Sequence, residues 1–91
     1  MKIIIFGANE VGAMIATQFC ATNDITIIDD EKNKLDVFNK LDISFVDGNA
    51  TNIDTLKQAN TKEADVFIAC TDSDELNIVA CLTAKLFITG N

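Results

Sequence analysis

Ile3-Ile4-Ile5-Phe6 followed by Gly7-Ala8-Asn9-Glu10-Val11-Gly12 is the stretch that decides the fold. Four consecutive β-branched and aromatic residues read as a strand buried on both faces of a parallel sheet, and the glycine behind them as the turn that ends it. From Glu10 to Ala21 the pattern becomes helical, with Val11, Met14, Ile15 and Phe19 on one apolar stripe and small Gly12, Ala13 and Ala16 allowing a close helix–strand approach. Gly7 to Gly12 thus matches G-x-G-x-x-G between a strand and a helix, with Asn9 in place of the second glycine. Gly7 is expected to make the tight turn and Gly12 the close contact, while the helix N-terminus offers unpaired N–H groups and a positive dipole end suited to a pyrophosphate. Asn9 stands where the middle glycine lets the backbone approach the phosphates, and Asn is among the better non-glycine residues at positive φ. Taken alone, the motif also fits a tight turn that binds nothing.

Ile25-Thr26-Ile27-Ile28, Ile43-Ser44-Phe45-Val46 and Val66-Phe67-Ile68-Ala69-Cys70 repeat the theme, each followed by a polar turn and a stretch of helical period. The alternation predicts a doubly wound α/β sheet. The second helix is expected over Glu31 to Leu41, with Leu35, Phe38 and Leu41 inward, and the third over Asn52 to Ala59, with Ile53, Leu56 and Ala59 inward. The fourth, Asp74 to Phe87, is apolar almost all round and should be covered on more than one side. Right-handed crossovers place the first two helices on one face and return the chain past strand one, giving order 3-2-1-4 with the switch point between strands one and four. Ligands bind such sheets at that switch, beside the carboxyl ends of the strands.

Asp29 stands at the end of strand two, where dinucleotide-binding folds place an acid on the adenine ribose. Its carboxylate is expected to accept from both ribose hydroxyls, and its removal to leave the free protein's stability nearly unchanged. Capping the second helix is the alternative role, but Asp30 can do that. The cluster Asp29-Asp30-Glu31 would repel a 2′-phosphate and the chain has no arginine to receive one, which favours NAD(H) over NADP(H). Asp47-Gly48-Asn49-Ala50-Thr51 and Thr71-Asp72-Ser73-Asp74-Glu75 lie at the same edge. Both also read as helix caps: Thr51 with Asp54 in one, and Asp72 or Ser73 in the other, with Asp72 and Glu75 at capping-box spacing.

Composition narrows the function. Surface scaling for 91 residues gives about 64% of the unfolded surface buried, enough for one domain spanning residues 1–91. A net charge of −7 opposes binding to nucleic acid or anionic lipid. Without His, Tyr or Arg there is no imidazole for a triad or zinc site and nothing to polarise a carbonyl or clamp a carboxylate, so the expectation is a non-enzyme; the cofactor half of a dehydrogenase and a non-binding interaction module are the alternatives. Cys20, Cys70 and Cys81 lie in apolar runs without CxxC spacing and read as buried small hydrophobes in a reducing compartment. No segment reaches a membrane-spanning length or forms a signal-peptide core, so a cytoplasmic chain without direct membrane insertion is expected.

GANEVG, ITIIDD, DGNAT and ADVFIACTDSDELNIVAC together resemble the TrkA N-terminal domain, also described as the RCK N-terminal domain, of the regulators of Trk and Ktr potassium transporters. The resemblance runs along the whole chain and implies a Rossmann-like sheet that regulates a transporter's membrane subunit from the cytoplasmic face, as part of a homo-oligomer. It places the dinucleotide phosphates on Gly7, Asn9, Glu10, Val11 and Gly12, the ribose on Asp29 with Asp30 beside it, the adenine near Asn49, Ala50 and Thr51, and the remaining ribose near Thr71 and Asp72. It implies NAD(H), with ATP or ADP as further candidates, and reads the chain as the N-terminal part of a larger unit. The apolar fourth helix is expected to join at least a dimer through Leu82, Leu86 or Phe87.

Overall fold

A computed structural model describes residues 1–90. Four strands, β1 (Lys2–Phe6), β2 (Asp24–Asp29), β3 (Ser44–Asp47) and β4 (Val66–Ala69), form one parallel sheet in the order β3-β2-β1-β4. Helices α1 (Glu10–Phe19), α2 (Ile53–Gln58) and α3 (Asp74–Thr89) complete a Rossmann-like, doubly wound fold of the expected strand order. The alternation along β1 sorts the core into two layers. Ile3 and Ile5 join Ile25, Ile27, Ala16 and Phe38 on the α1 face, whereas Ile4 and Phe6 join Ile28, Val46, Leu56, Ala80 and Ala84 on the α2 and α3 face.

Residues 31–41 do not form the expected helix. Two 3-10 turns, Glu31–Asn33 and Asp36–Lys40, are separated by extended Lys34 and Leu35. The Asp30 carboxylate accepts the Lys32 N–H at 3.1 Å, so Asp30 does cap the segment, but the Asp and Asn side chains here bind nearby backbone and compete with helix formation. Phe38 is nevertheless buried, with Leu35 and Leu41 packed around the same layer. Apolar spacing identified the inward residues even where the backbone departs from a helix.

In α1 only Ile15 of the expected stripe packs against the core; the small residues make the close contact. Gly12 and Ala16 are buried, whereas Val11, Met14 and Phe19 are exposed, Met14 by 61%. A Cβ on Gly12 would overlap the Gly7 carbonyl oxygen, so the helix sits too close to the turn for a large residue on that side. Size outweighs hydrophobicity in choosing the packed face. In α2, Leu56 and Ala59 are buried as expected, but Ile53 is exposed. Cys20 and Cys70 are half-buried and Cys81 is exposed, so burial of all three thiols is not observed.

Candidate functional site: a cleft at the strand ends

Gly7 leaves β1 with φ at +141°, a conformation L side chains rarely adopt, and a Cβ there would press on Cys70 at 2.9–3.1 Å. Asn9 follows in an extended conformation with φ at −106°, so this position needs no positive φ. It is the N-cap of α1: its Oδ1 accepts the Gly12 N–H at 3.1 Å, and its Nδ2 donates to the Cys70 carbonyl at 2.8 Å. One side chain thereby joins the start of α1 to the end of β4. The Asn9 carbonyl takes the Ala13 N–H at 2.9 Å, and among the described residues nothing accepts the Glu10 or Val11 N–H.

Asp29 reaches across to this turn. Its Oδ2 accepts the Ala8 N–H at 2.8 Å, and its Oδ1 accepts the Asp30 N–H at 2.6 Å and the Asn33 Nδ2 at 3.1 Å. Three of a carboxylate's roughly four acceptor positions are therefore committed within the protein. Two expectations change. The carboxylate holds the Ala8 amide, a residue only 1% exposed, so its loss is not neutral for the free protein. Two ribose hydroxyls can both be accepted only if Asn33 gives way.

The loop after β4 is tied in a comparable way. Asn77, in the first turns of α3, accepts the Thr71 N–H at 2.9 Å and hydroxyl at 2.7 Å, and donates to the Thr71 carbonyl at 3.0 Å. Ser73 caps α3, its Oγ accepting the Leu76 N–H at 3.1 Å; Asp72 does not. After β3, Asn49 accepts both the N–H and the hydroxyl of Thr51, while Asn52 and not Thr51 caps α2 by accepting the Asp54 N–H.

These four strand ends enclose a cleft of about 650 Å³. Asn9, Glu10, Asp29, Asp30, Asn49, Thr71 and Asp72 line it together. Glu10, Asp29, Asp30, Asp47 and Asp72 give it five carboxylates, and none of the chain's lysines lines it. Among the described residues no group of His, Cys, Asp and Glu is arranged to hold a metal ion. Burial pushes the Cys70 thiol up, with the Asp29 carboxylate adding to the effect, so behind the glycine turn it stays a neutral thiol at physiological pH.

A family model, the TrkA-N domain, matches residues 3–89. The chain belongs to the TrkA-N domain family. Among relatives of this TrkA-N chain, the Trk system potassium uptake protein TrkA homolog 2 of Methanosarcina mazei is 40% identical over 91 residues, covering all of this chain and 20% of the relative. The Trk system potassium uptake protein TrkA of Vibrio alginolyticus is 42% identical over 94 residues, again covering all of this chain and 20% of the relative. The chain spans about a fifth of the length of these curated relatives. The Shewanella denitrificans Kef CTD in its AMP bound form shares the fold at 20% identity with a TM-score of 0.69, over 93% of this chain and 52% of that one.

Within the TrkA-N fold, five expected site residues lie outside the cleft lining. Gly7 and Gly12 are buried in the turn that shapes it, Val11 is exposed on α1, Ala50 has no exposed surface and belongs to the core, and Thr51 donates its N–H and hydroxyl to Asn49. Asn33, Leu35, Ser73 and Leu76 line the cleft without having been assigned to it. For Asn33 and Leu35 the helical reading of 31–41 hid the signal, since only an irregular segment folds them over Asp29. Asn77 carried a sequence signal of another kind: an Asn four residues after a Ser N-cap can reach back to the preceding loop, yet pattern alone does not say that it does.

Proposed function

We propose that this TrkA-N domain binds NAD(H) in the cleft and acts as the nucleotide-responsive, non-enzymatic part of a potassium uptake system, in the cytoplasm against the transporter's membrane subunit. The observation that carries the reading is the convergence, at the β1/β4 switch point, of the Asn9 and Glu10 amides, neither of which has an acceptor among the described residues, with the Asp29 carboxylate at the end of β2. A pyrophosphate suits the first and a ribose hydroxyl the second. The residues fit the group: Asn9 and Glu10 would hold phosphate oxygens through their amides, Asp29 the adenosine ribose, and Asn49 and Thr71 the cleft's two flanks. Adenine mononucleotides, including ADP and ATP, are the second reading, favoured by the AMP held by the Kef neighbour of like fold. Potassium transport is supported by the names of the relatives. Occupancy would pass to the membrane subunit through a homo-oligomer, for which the exposed Leu82 and Leu86 of α3 offer an apolar face; Phe87 is half-buried in the chain's own core and contributes less.

The test is a titration with NADH followed by nicotinamide fluorescence. Asp29→Ala should bind about 10- to 100-fold more weakly, as expected for the loss of a charge-assisted hydrogen bond at a wet rim. NADPH should bind more weakly than NADH to the wild type, because Asp29, Asp30 and Glu31 repel its additional phosphate. Equal NADH affinity of wild type and a folded Asp29→Ala variant removes the assignment.

A further inference from the structure

We propose that a groove at the far end of the sheet from the cleft is a second ligand site, one that takes a small amphiphilic carboxylate, an apolar body with a single anionic end. Its existence is independent of nucleotide binding in the cleft. The groove originates in the turn that follows α2. Asn60, the only non-glycine among the described residues with a positive φ, at +56°, ends that helix and sends the chain through the 3-10 turn Thr61–Glu63 toward β4. This turn, one face of α2 and the last turns of α3 enclose about 680 Å³, the size of a small-molecule site. Because the turn leads into the first residue of β4, the groove and the cleft lie at opposite ends of that strand.

The chemistry of the groove is the reverse of the cleft's. Five carboxylates and no lysine line the cleft, whereas Lys57 and Lys62 line the groove against one carboxylate, Glu63. Neither lysine has an ion-pair partner among the described residues, and the Lys62 ammonium is held 5.2 Å over the Phe87 ring. In a chain of net charge −7, two unpaired lysines beside exposed Ile53 and Leu86 suit a ligand that is anionic at one end and apolar along the rest. The negative dipole end of α3 and the Glu63 carboxylate offset part of the lysine charge, which favours a singly charged carboxylate over a phosphate.

Thr61 points to a ligand independently of charge. It lines the groove yet has no exposed surface, so it forms the floor, and its Oγ1 is buried with no hydrogen-bond partner among the described residues. The turn closes through its backbone alone, Asn60 and Thr61 carbonyls accepting the Glu63 and Ala64 N–H groups at 3.1 and 3.0 Å, so the hydroxyl caps nothing. A buried hydroxyl without a partner costs stability that a valine of the same shape would not. A carboxylate resting on the floor supplies the acceptor that the Thr61 hydroxyl lacks.

The experiment is a titration of the isotope-labelled protein with phenylbutyrate, followed by NMR, beside the same titration with its uncharged amide, phenylbutyramide. Phenylbutyrate should shift the signals of residues 57–63 and 86–90 and leave those of the cleft in place. The uncharged amide should bind about fivefold more weakly, as the loss of exposed charge pairs implies. Lys57→Gln combined with Lys62→Gln should erase that difference. Thr61→Val should weaken phenylbutyrate about threefold while the melting temperature without ligand stays level or rises. Shifts centred on the cleft, no shift at all, or equal binding of acid and amide to the wild type overturns the proposal and leaves the nucleotide reading untouched. A Thr61→Val variant that melts lower and binds phenylbutyrate as well as the wild type overturns it too, since the hydroxyl would then serve the fold and not a ligand.

Discussion

On one side of β1, β2 buries Ile25 through Ile28 completely; on the other, all four residues of β4 are only half-buried, although Val66-Phe67-Ile68-Ala69 is at least as apolar. The contrast extends to the layer above. Two buried alanines of α3, Ala80 and Ala84, seat it on the sheet, while Ile78, Val79, Leu82 and Leu86 stay exposed, Leu86 by 70%. Burial here follows the number of neighbouring strands and not the composition of the strand itself. β2 lies between β1 and β3, whereas β4 has β1 on one side only. The cleft lies across this divide, one wall built on the finished half and the other on the edge.

The largest expected effect tests the divide directly. Ile27 and Ile68 both sit beside Ile5 in register and on the same face of the sheet. Ile27→Ala should cost about 2–5 kcal/mol, as full burial implies, and Ile68→Ala less than half of that, because water already reaches it. Urea denaturation measures both, and equal losses break the comparison.

The polar ties should follow the same order. Asp29→Ala leaves the buried Ala8 N–H without its acceptor and should destabilise the free protein by about 1–3 kcal/mol. Asn77→Ala releases Thr71, whose half-buried groups can turn to water, and should cost about 1 kcal/mol or less. Melting temperatures without ligand measure both effects; a larger loss at Asn77 would make the β4 loop the more rigid wall.

On α3, Leu82→Lys combined with Leu86→Lys should change the stability of an isolated chain by no more than about 0.5 kcal/mol, since both side chains are exposed. Sedimentation should show the wild type at least dimeric and the double variant shifted to monomer. A wild type that stays monomeric at high concentration removes the interface.

The smallest effect is a pH dependence. The Cys70 thiol is raised in the folded state by burial and then by Asp29. Above the ordinary thiol range the unfolded chain loses this proton before the folded one does, so the folded state holds more protons and stability falls as pH rises toward the folded value. That contribution is intact at neutral pH. Cys70→Ala should flatten the alkaline decline in melting temperature, and an unchanged slope would show that the thiol is as solvated as in the unfolded chain.

Strand order and the edge on which the cleft lies were legible in the sequence, because buried parallel strands announce themselves as β-branched runs and right-handed connections leave few topologies. The sequence also placed Gly7, Asp29 and Thr71 at the correct strand ends. Tertiary structure alone decided which side of α1 faces inward, since the close approach of Gly12 to the Gly7 carbonyl depends on the distance between helix and sheet and not on hydrophobic period. It decided as well that residues 31–41 fold as two short turns that carry Asn33 onto Asp29, and that Asn9 caps α1 and bridges to Cys70. Asn and Asp side chains choose among several backbone partners of similar energy, and only the packed chain shows which partner lies within reach.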